Sequence, residues 1–297
     1  MNKYLIFFLF SISSSQISDY SFSGTETSAM AGAVVSEEGN IWNVFHNPAG
    51  LTEINNTNLS AGSSNLYGYN WLSTYYINGT TKIPVIGKIA IAINQLETSI
   101  DDISLSTEQT LSFANAYELQ RDNNSHLSIG YSTNIIQWKL GKSSGLSGDG
   151  SDGIELGNIE TITVDLGILS SLREKYRFGV FIKNINSGAI GKGMTRQILP
   201  RRINTGITYR PIKMLSTSIV SEYYLGKENM HIKGSMRYSF NPSIQIFAGA
   251  QSNPNRLGLG IQITLNKNLT NNYTFSYGLL THPILPATHQ FAIGIVL

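Results

Sequence analysis

The chain has 297 residues, a formal net charge of +2 and only 13% charged residues, well under the roughly 25% usual in soluble globular proteins. Its mean hydropathy is −0.06, and beyond the N-terminus no segment approaches the roughly 20 apolar residues of a membrane helix. These values exclude a polytopic helical membrane protein and argue against a nucleic-acid partner, and the absence of cysteine removes disulfides and thiolate metal sites.

The chain opens on Met1-Asn2-Lys3, a short basic start, followed by the apolar run Tyr4–Phe10 and the small residues Ser13-Ser14-Ser15. That order predicts an export signal over residues 1–15, cleaved before Gln16. A plug segment is expected over 16–56. In it, Thr27–Val35 is rich in small residues and suits a short helix. Pro48 disfavours helix at Asn47, and Gly50 allows a turn.

From 57 to 297 the chain alternates with the strand period of two. Ile89, Ile91 and Ile93 interleave with Ala90, Ala92 and Asn94; Leu257 to Leu265 interleave with Gly258, Gly260, Gln262 and Thr264. Cutting at turn signals predicts strands near 57–66, 71–82, 86–97, 107–120, 125–140, 160–172, 175–186, 201–210, 213–226, 229–240, 243–252, 256–267, 271–281 and 288–297. One face of each is bulky and apolar, the other small or polar. The expected fold class is therefore all-β: a transmembrane antiparallel β-barrel of about fourteen strands with a small N-terminal plug of short helices and turns. A soluble β-sandwich or solenoid is the competing architecture.

Connections support the barrel. Ile83–Val85, Arg121–Asn124, Arg173-Glu174, Pro211-Ile212 and Asn241-Pro242 are short and fall at alternate positions. Between them fall longer ones: Thr98–Ser106, Gly141–Gly157, Ser187–Pro200 and Thr281–Ala287. Short inner turns and longer outer loops are the outer-membrane pattern. Tyr67, Tyr69, Trp71, Tyr75, Tyr76, Trp138, Tyr176, Tyr209, Tyr223, Tyr224, Tyr273 and Tyr277 are candidates for interfacial girdles. The final strand, His289–Leu297, carries bulky residues at every second position, and its expected partner is the first strand near Asn58–Leu66. Such a closure leaves no free edge for aggregation.

Two groups of residues are candidate sites. Asn47, Pro48, Ala49 and Gly50 set a rigid bend in the plug, read either as a gate or as a space-filler. His231, Lys233 and Arg237 share the slim face of one strand, with Arg210 on another. They form a basic stripe for anions or for a plug carboxylate such as Glu37 or Glu38, or simply an ordinary polar lumen. No catalytic site is expected, because no nucleophile-elbow Gly-x-Ser-x-Gly is present. No metal site or cofactor is expected either. The five histidines show no short ligand spacing, His282 and His289 merely flank one loop, and Gly148–Gly153 lacks the EF-hand spacing.

Ala31-Gly32-Ala33, the acidic residues after it and Asn47-Pro48-Ala49-Gly50-Leu51 resemble the N-terminal plug of the FadL-like outer-membrane barrels. Asp165–Leu169, Phe178–Ile185, Leu199–Tyr209 and the ending from Tyr277 to Gln290 resemble the PorV/PorQ branch of that group. The resemblance implies a plugged fourteen-stranded barrel. On the FadL side it implies uptake of hydrophobic small molecules; on the PorV/PorQ side, carriage of secreted proteins in type IX secretion. The expected localisation is the bacterial outer membrane. The expected partners are the lipid bilayer, the assembly machinery that reads the last strand, and either hydrophobic molecules or secreted proteins.

Overall fold

The computed structural model describes residues 22–100, 103–143, 145–146, 152–191, 196–226, 230–266 and 272–297. The expected export signal, and most of Gly148–Gly153, lie outside them. The N-terminal segment holds helices α1 (Thr25–Ala29) and α2 (Asn43–His46) and a 3-10 helix, Pro48–Glu53. Sixteen strands follow among the described residues. They are β1 (Asn58–Asn65), β2 (Leu72–Ile83), β3 (Gly87–Ile100), β4 (Ile103–Arg121), β5 (Ser125–Lys142), β6 (Glu155–Leu172), β7 (Tyr176–Lys183), β8 (Ala189–Ile190), β9 (Gln197–Ile198), β10 (Arg202–Ile212), β11 (Leu215–Tyr224), β12 (Met230–Asn241), β13 (Ile244–Gln251), β14 (Arg256–Asn266), β15 (Asn272–Leu280) and β16 (Thr288–Val296). Fourteen close into an antiparallel barrel, while β8 and β9 pair only with each other.

The closure joins β16 to β1 in a register from Asn58↔Val296 to Asn65↔His289. The Leu297 amide donates to the Thr57 carbonyl at 2.8 Å, extending the ladder one step past β16. Each of the fourteen strands thus has a strand neighbour on both sides, the closure a bilayer requires.

The two faces separate by chemistry. On β11, Ser216, Ser218, Val220, Glu222 and Tyr224 are buried inward, while Ile219 and Tyr223 are exposed outward. The outward residues form level rows across strands. Ile77, Ile93, Leu111, Ile135 and Ile162 are successive register partners. One step above runs Tyr75, Gln95, Gln109, Gln137 and Glu160; above that, Ser73, Glu97, Thr107, Lys139 and Asn158. The change from an all-aliphatic row to an amide row marks one edge of the apolar band.

Beyond that edge β3 to β6 continue as a tall wall. The expected long connection over Thr98–Ser106 is instead strand on both sides, paired through Ser99↔Ser104 and Ile100↔Ile103 after a register shift at Thr98. Two β-branched isoleucines at the tip extend the ladder where loop chemistry was expected. Conversely, β7 stops at Lys183, short of the expected 186, because Asn184 adopts a left-handed φ of 57°. Above Leu166, β6 has no strand partner on that side among the described residues. Its edge is covered by loop groups: Asn184 N donates to Asp165 Oδ1 at 2.7 Å, and Asn186 both accepts from Val164 N and donates to Ile162 O.

Candidate functional site

Residues 22–56 thread through the lumen and are held there by three kinds of contact. Apolar plug side chains meet apolar barrel side chains: Val44, Leu51 and Ile54 pack on the small Ala90, Ala92, Ala114 and Ala116, and Ala33 and Val35 on the larger Phe181 and Val220. Trp42 meets Tyr76 edge to face, with ring centroids 5.0 Å apart. Tyr76 therefore belongs to the lumen rather than to an interfacial girdle, and so do Tyr224 and Trp138. They share strand parity with buried Thr74, Glu222 and Ile136.

Glycine gives the second contact. A Cβ on Gly130 would strike the Pro48–Ala49 backbone, one on Gly179 the Val35–Ser36 backbone, one on Gly249 Met30, and one on Gly258 Ala29. The slim inner face is slim because the plug backbone lies against it.

The third contact is polar. The structure puts Asn47 in extended backbone (φ −165°), where its Oδ1 accepts from Ala49 N at 3.2 Å. Its Nδ2 donates to Val35 O at 2.6 Å and to Ile168 O at 3.2 Å, so one side chain ties two plug segments and the wall. Pro48 starts the 3-10 helix, and Ala49 O accepts from Ser128 Oγ at 3.2 Å. Gly50 is needed for close approach rather than for a turn: a Cβ there would collide with Asn43 and the Glu37 carbonyl. The helix expected over Thr27–Val35 runs instead over Thr25–Ala29, because Ala31 and Gly32 both take positive φ and end it.

All four stripe residues lie on inward-facing strand positions, but their partners differ. Arg237 Nη2 is 2.8 Å from Glu37 Oε2. Lys233 Nζ is 3.0 Å from Glu222 Oε1, a barrel carboxylate that Arg202 also approaches at 3.5 Å. His231 packs edge to face on Tyr224. Arg210 adds its field to Glu37 without forming an ion pair among the described residues. Burial pushes the Glu37 carboxyl up, but Arg237, Arg177, the Ser218 hydroxyl and Arg210 outweigh it and hold it below the ordinary range. Glu38 pairs with Arg177. Burial pushes the Glu26 carboxyl up, only partly opposed by its own backbone amide and Arg237. Burial also drives the His46 imidazole down to about 3, so it is neutral and hydrogen-bonded to Ser23 O at 2.7 Å.

Sequence reading missed Arg177, Arg202 and Glu222. Their parity was available: Arg202 shares the inward parity of Asn204, Gly206 and Thr208, and Glu222 that of Ser216 and Ser218. His282 and His289, on either side of one loop in the sequence, have separate partners. In the structure His282 faces Tyr67, and His289 Nδ1 is 2.7 Å from the Tyr277 hydroxyl.

Two spaces flank the plug. On the side of the barrel termini lies a cavity of about 360 Å³, lined by Glu26, Trp42, Arg237, Phe247 and many amide and hydroxyl side chains. On the other side a space of about 60 Å³ lies among Phe45, His46, Asn134, Thr163, Lys183 and Arg202. Above it, Ile190 and Leu199 from the β8–β9 hairpin pack on inward-facing Ile136, with Trp138 and Ile159 beside them. This apolar cluster contains no plug residue.

No protein-family model matches this chain, and no curated protein matches it by sequence. Solved structures do share its fold. The Pseudomonas putida toluene transporter TodX superposes with a TM-score of 0.61 at 10% identity, covering 95% of this chain and 98% of that one. The Ralstonia pickettii toluene transporter TbuX gives 0.58 at 11% identity, over 94% and 98%. A Pseudomonas aeruginosa FadL homologue gives 0.57 at 9% identity, over 92% and 97%. The fold is thus that of FadL-like barrels. These neighbours lend nothing to the PorV/PorQ branch or to a type IX role.

Proposed function

We propose that this protein is a bacterial outer-membrane channel through which small hydrophobic molecules pass a lumenal plug. The observation that carries the reading is the apolar cluster at the mouth opposite the barrel termini. There Ile136, Trp138, Ile159, Ile190 and Leu199 turn inward, just where the outward face has become amide and charge. An inward apolar cluster at the edge of the band has no role in lipid contact, and its half-buried members Trp138 and Ile159 present an apolar face at the mouth. It suits capture of an apolar solute from water. The fold shared with two toluene transporters supports the same ligand class.

In this reading residues 16–56 are the plug and 57–297 the channel, and Asn47–Gly50 is the gate. Asn47 holds three carbonyl or amide groups at once, so releasing it frees both the Val35 segment and the wall. Proteoliposomes tested with a labelled monoaromatic hydrocarbon should show saturable uptake. Ile190→Asp should weaken uptake at low solute concentration. Pro48→Gly should raise the permeability of small polar solutes in liposome swelling. Non-saturable uptake equal to that of empty vesicles would rule out the channel reading, and unchanged swelling of Pro48→Gly would rule out the gate.

A further inference from the structure

The last turn of the plug's 3-10 helix ends on Glu53. There it meets two side chains of the neighbouring wall, Glu118 of β4 and His126 of β5. One donor atom from each lies within 4.8 Å of the other two. His126 is the buried member: its side chain is 9% exposed, against 28% for Glu53 and 36% for Glu118.

The two ring nitrogens differ. Nδ1 stands 3.1 Å from Glu53 Oε1. Nε2 is buried, makes no hydrogen bond, and lies 3.3 Å from Glu118 Oε2. Two ligands of one tetrahedral zinc, each bonded at about 2.1 Å, stand about 3.4 Å apart. A histidine whose second nitrogen donates to a carboxylate is the usual orientation of a metal ligand. The site already accepts positive charge: Arg121 contacts Glu53 and lies 2.9 Å from Glu118 Oε2. Its side chain is 50% exposed, so it can swing into water.

We propose that Glu53, Glu118 and His126 bind a divalent transition-metal ion of zinc type, with His126 Nε2 and Glu118 as ligands and Glu53 orienting the imidazole or turning in as a third ligand. Bound metal would tie the trailing turn of the plug to the barrel rim, and Arg121 is the counter-ion it displaces. The residues stand far apart in sequence with no motif spacing, which is why the site is silent there.

The test is zinc alone, titrated calorimetrically into the full chain purified in detergent, with X-ray absorption on the loaded protein. One equivalent should bind, with one imidazole nitrogen and carboxylate oxygens at about 2.0–2.2 Å. His126→Ala should abolish binding, and Glu53→Gln should weaken it about 10–100-fold. Arg121→Ala should bind zinc more tightly than the unaltered chain, a gain that no misfolded barrel would give. Absence of binding in both the unaltered chain and Arg121→Ala would overturn the proposal and leave the cluster as ion pairs only. Binding that survives His126→Ala would overturn it as well.

Discussion

Arg237 of the barrel wall and Glu37 of the plug stand 2.8 Å apart, Nη2 to Oε2, and the Ser218 hydroxyl donates to the other oxygen of the same carboxylate at 2.8 Å. The wall thus grips the plug here through a buried charge, as it does again at Glu38 and Arg177. Removing Arg237 while leaving Glu37 strands an anion with reduced compensation, a change worth about 3 kcal/mol. Arg237→Ala should speed hydrogen exchange across residues 22–56 and leave β1–β16 protected. Glu37→Gln should do less, because a neutral amide is stranded at lower cost. Equal protection of the plug in Arg237→Ala and the unaltered chain would show that packing alone retains it.

Acid should loosen the plug in two windows. The His46 pKa falls from its ordinary 6.5 to about 3, so folding favours the neutral ring. That contribution is complete above pH 6.5 and declines as pH drops from there toward 3. Glu37 is held below its ordinary 4.5, so its contribution is complete above 4.5 and declines only as pH falls further, through its folded-state value. Protease susceptibility of the plug should therefore begin to rise below pH 6.5 and steepen below 4.5. His46→Gln should flatten the upper window alone. A profile unchanged by that substitution would place the effect elsewhere.

The inward glycines should be intolerant in a specific way. Gly249→Val places a branched side chain against the Met30 backbone. Its neighbours Ala248 and Ala250 keep the outward face unchanged, so the barrel should still close. The variant should retain heat-modifiable migration in gel electrophoresis while its N-terminal segment becomes cleavable by added protease. Loss of the barrel itself would show that plug and wall fold as one unit.

Lipid-facing rows should be graded by depth. Ile91 lies one step inside the aliphatic row of Ile93, while Gln95 lies on the amide row. Ile91→Arg should cost about 2–4 kcal/mol of folding free energy in vesicles, and Gln95→Arg about 0–1. Similar costs at both positions would move the membrane edge away from the Gln95, Gln109 and Gln137 row.

Much of the wall was legible beforehand because a strand has a side-chain period of two. Alternation such as Leu257 to Leu265 against Gly258 to Thr264 names both faces without a partner. Turn chemistry placed connections such as Arg173-Glu174 but not Thr98–Ser106, which is strand on both sides, and the closing pair of β16 with β1 followed from the need to leave no edge in lipid. The sequence also singled out Asn47-Pro48 as a bend, because proline restricts its own φ and the residue before it.

What the inward side chains meet was decided only in three dimensions. Nothing local pairs Glu37 with Arg237, Glu38 with Arg177, or Glu222 with Lys233. Those contacts depend on barrel circumference and on the path of the plug, which no residue's neighbours in sequence encode. The same holds for Tyr76 and Trp138. Their residue type suits a membrane girdle, and the plug and the β8–β9 hairpin draw them inward. The purpose of Gly50 changed likewise, from a turn to a gap for Asn43. Period and turn propensity are properties of a few adjacent residues, so the sequence carries them directly; packing and charge pairing across a closed lumen depend on its three-dimensional closure.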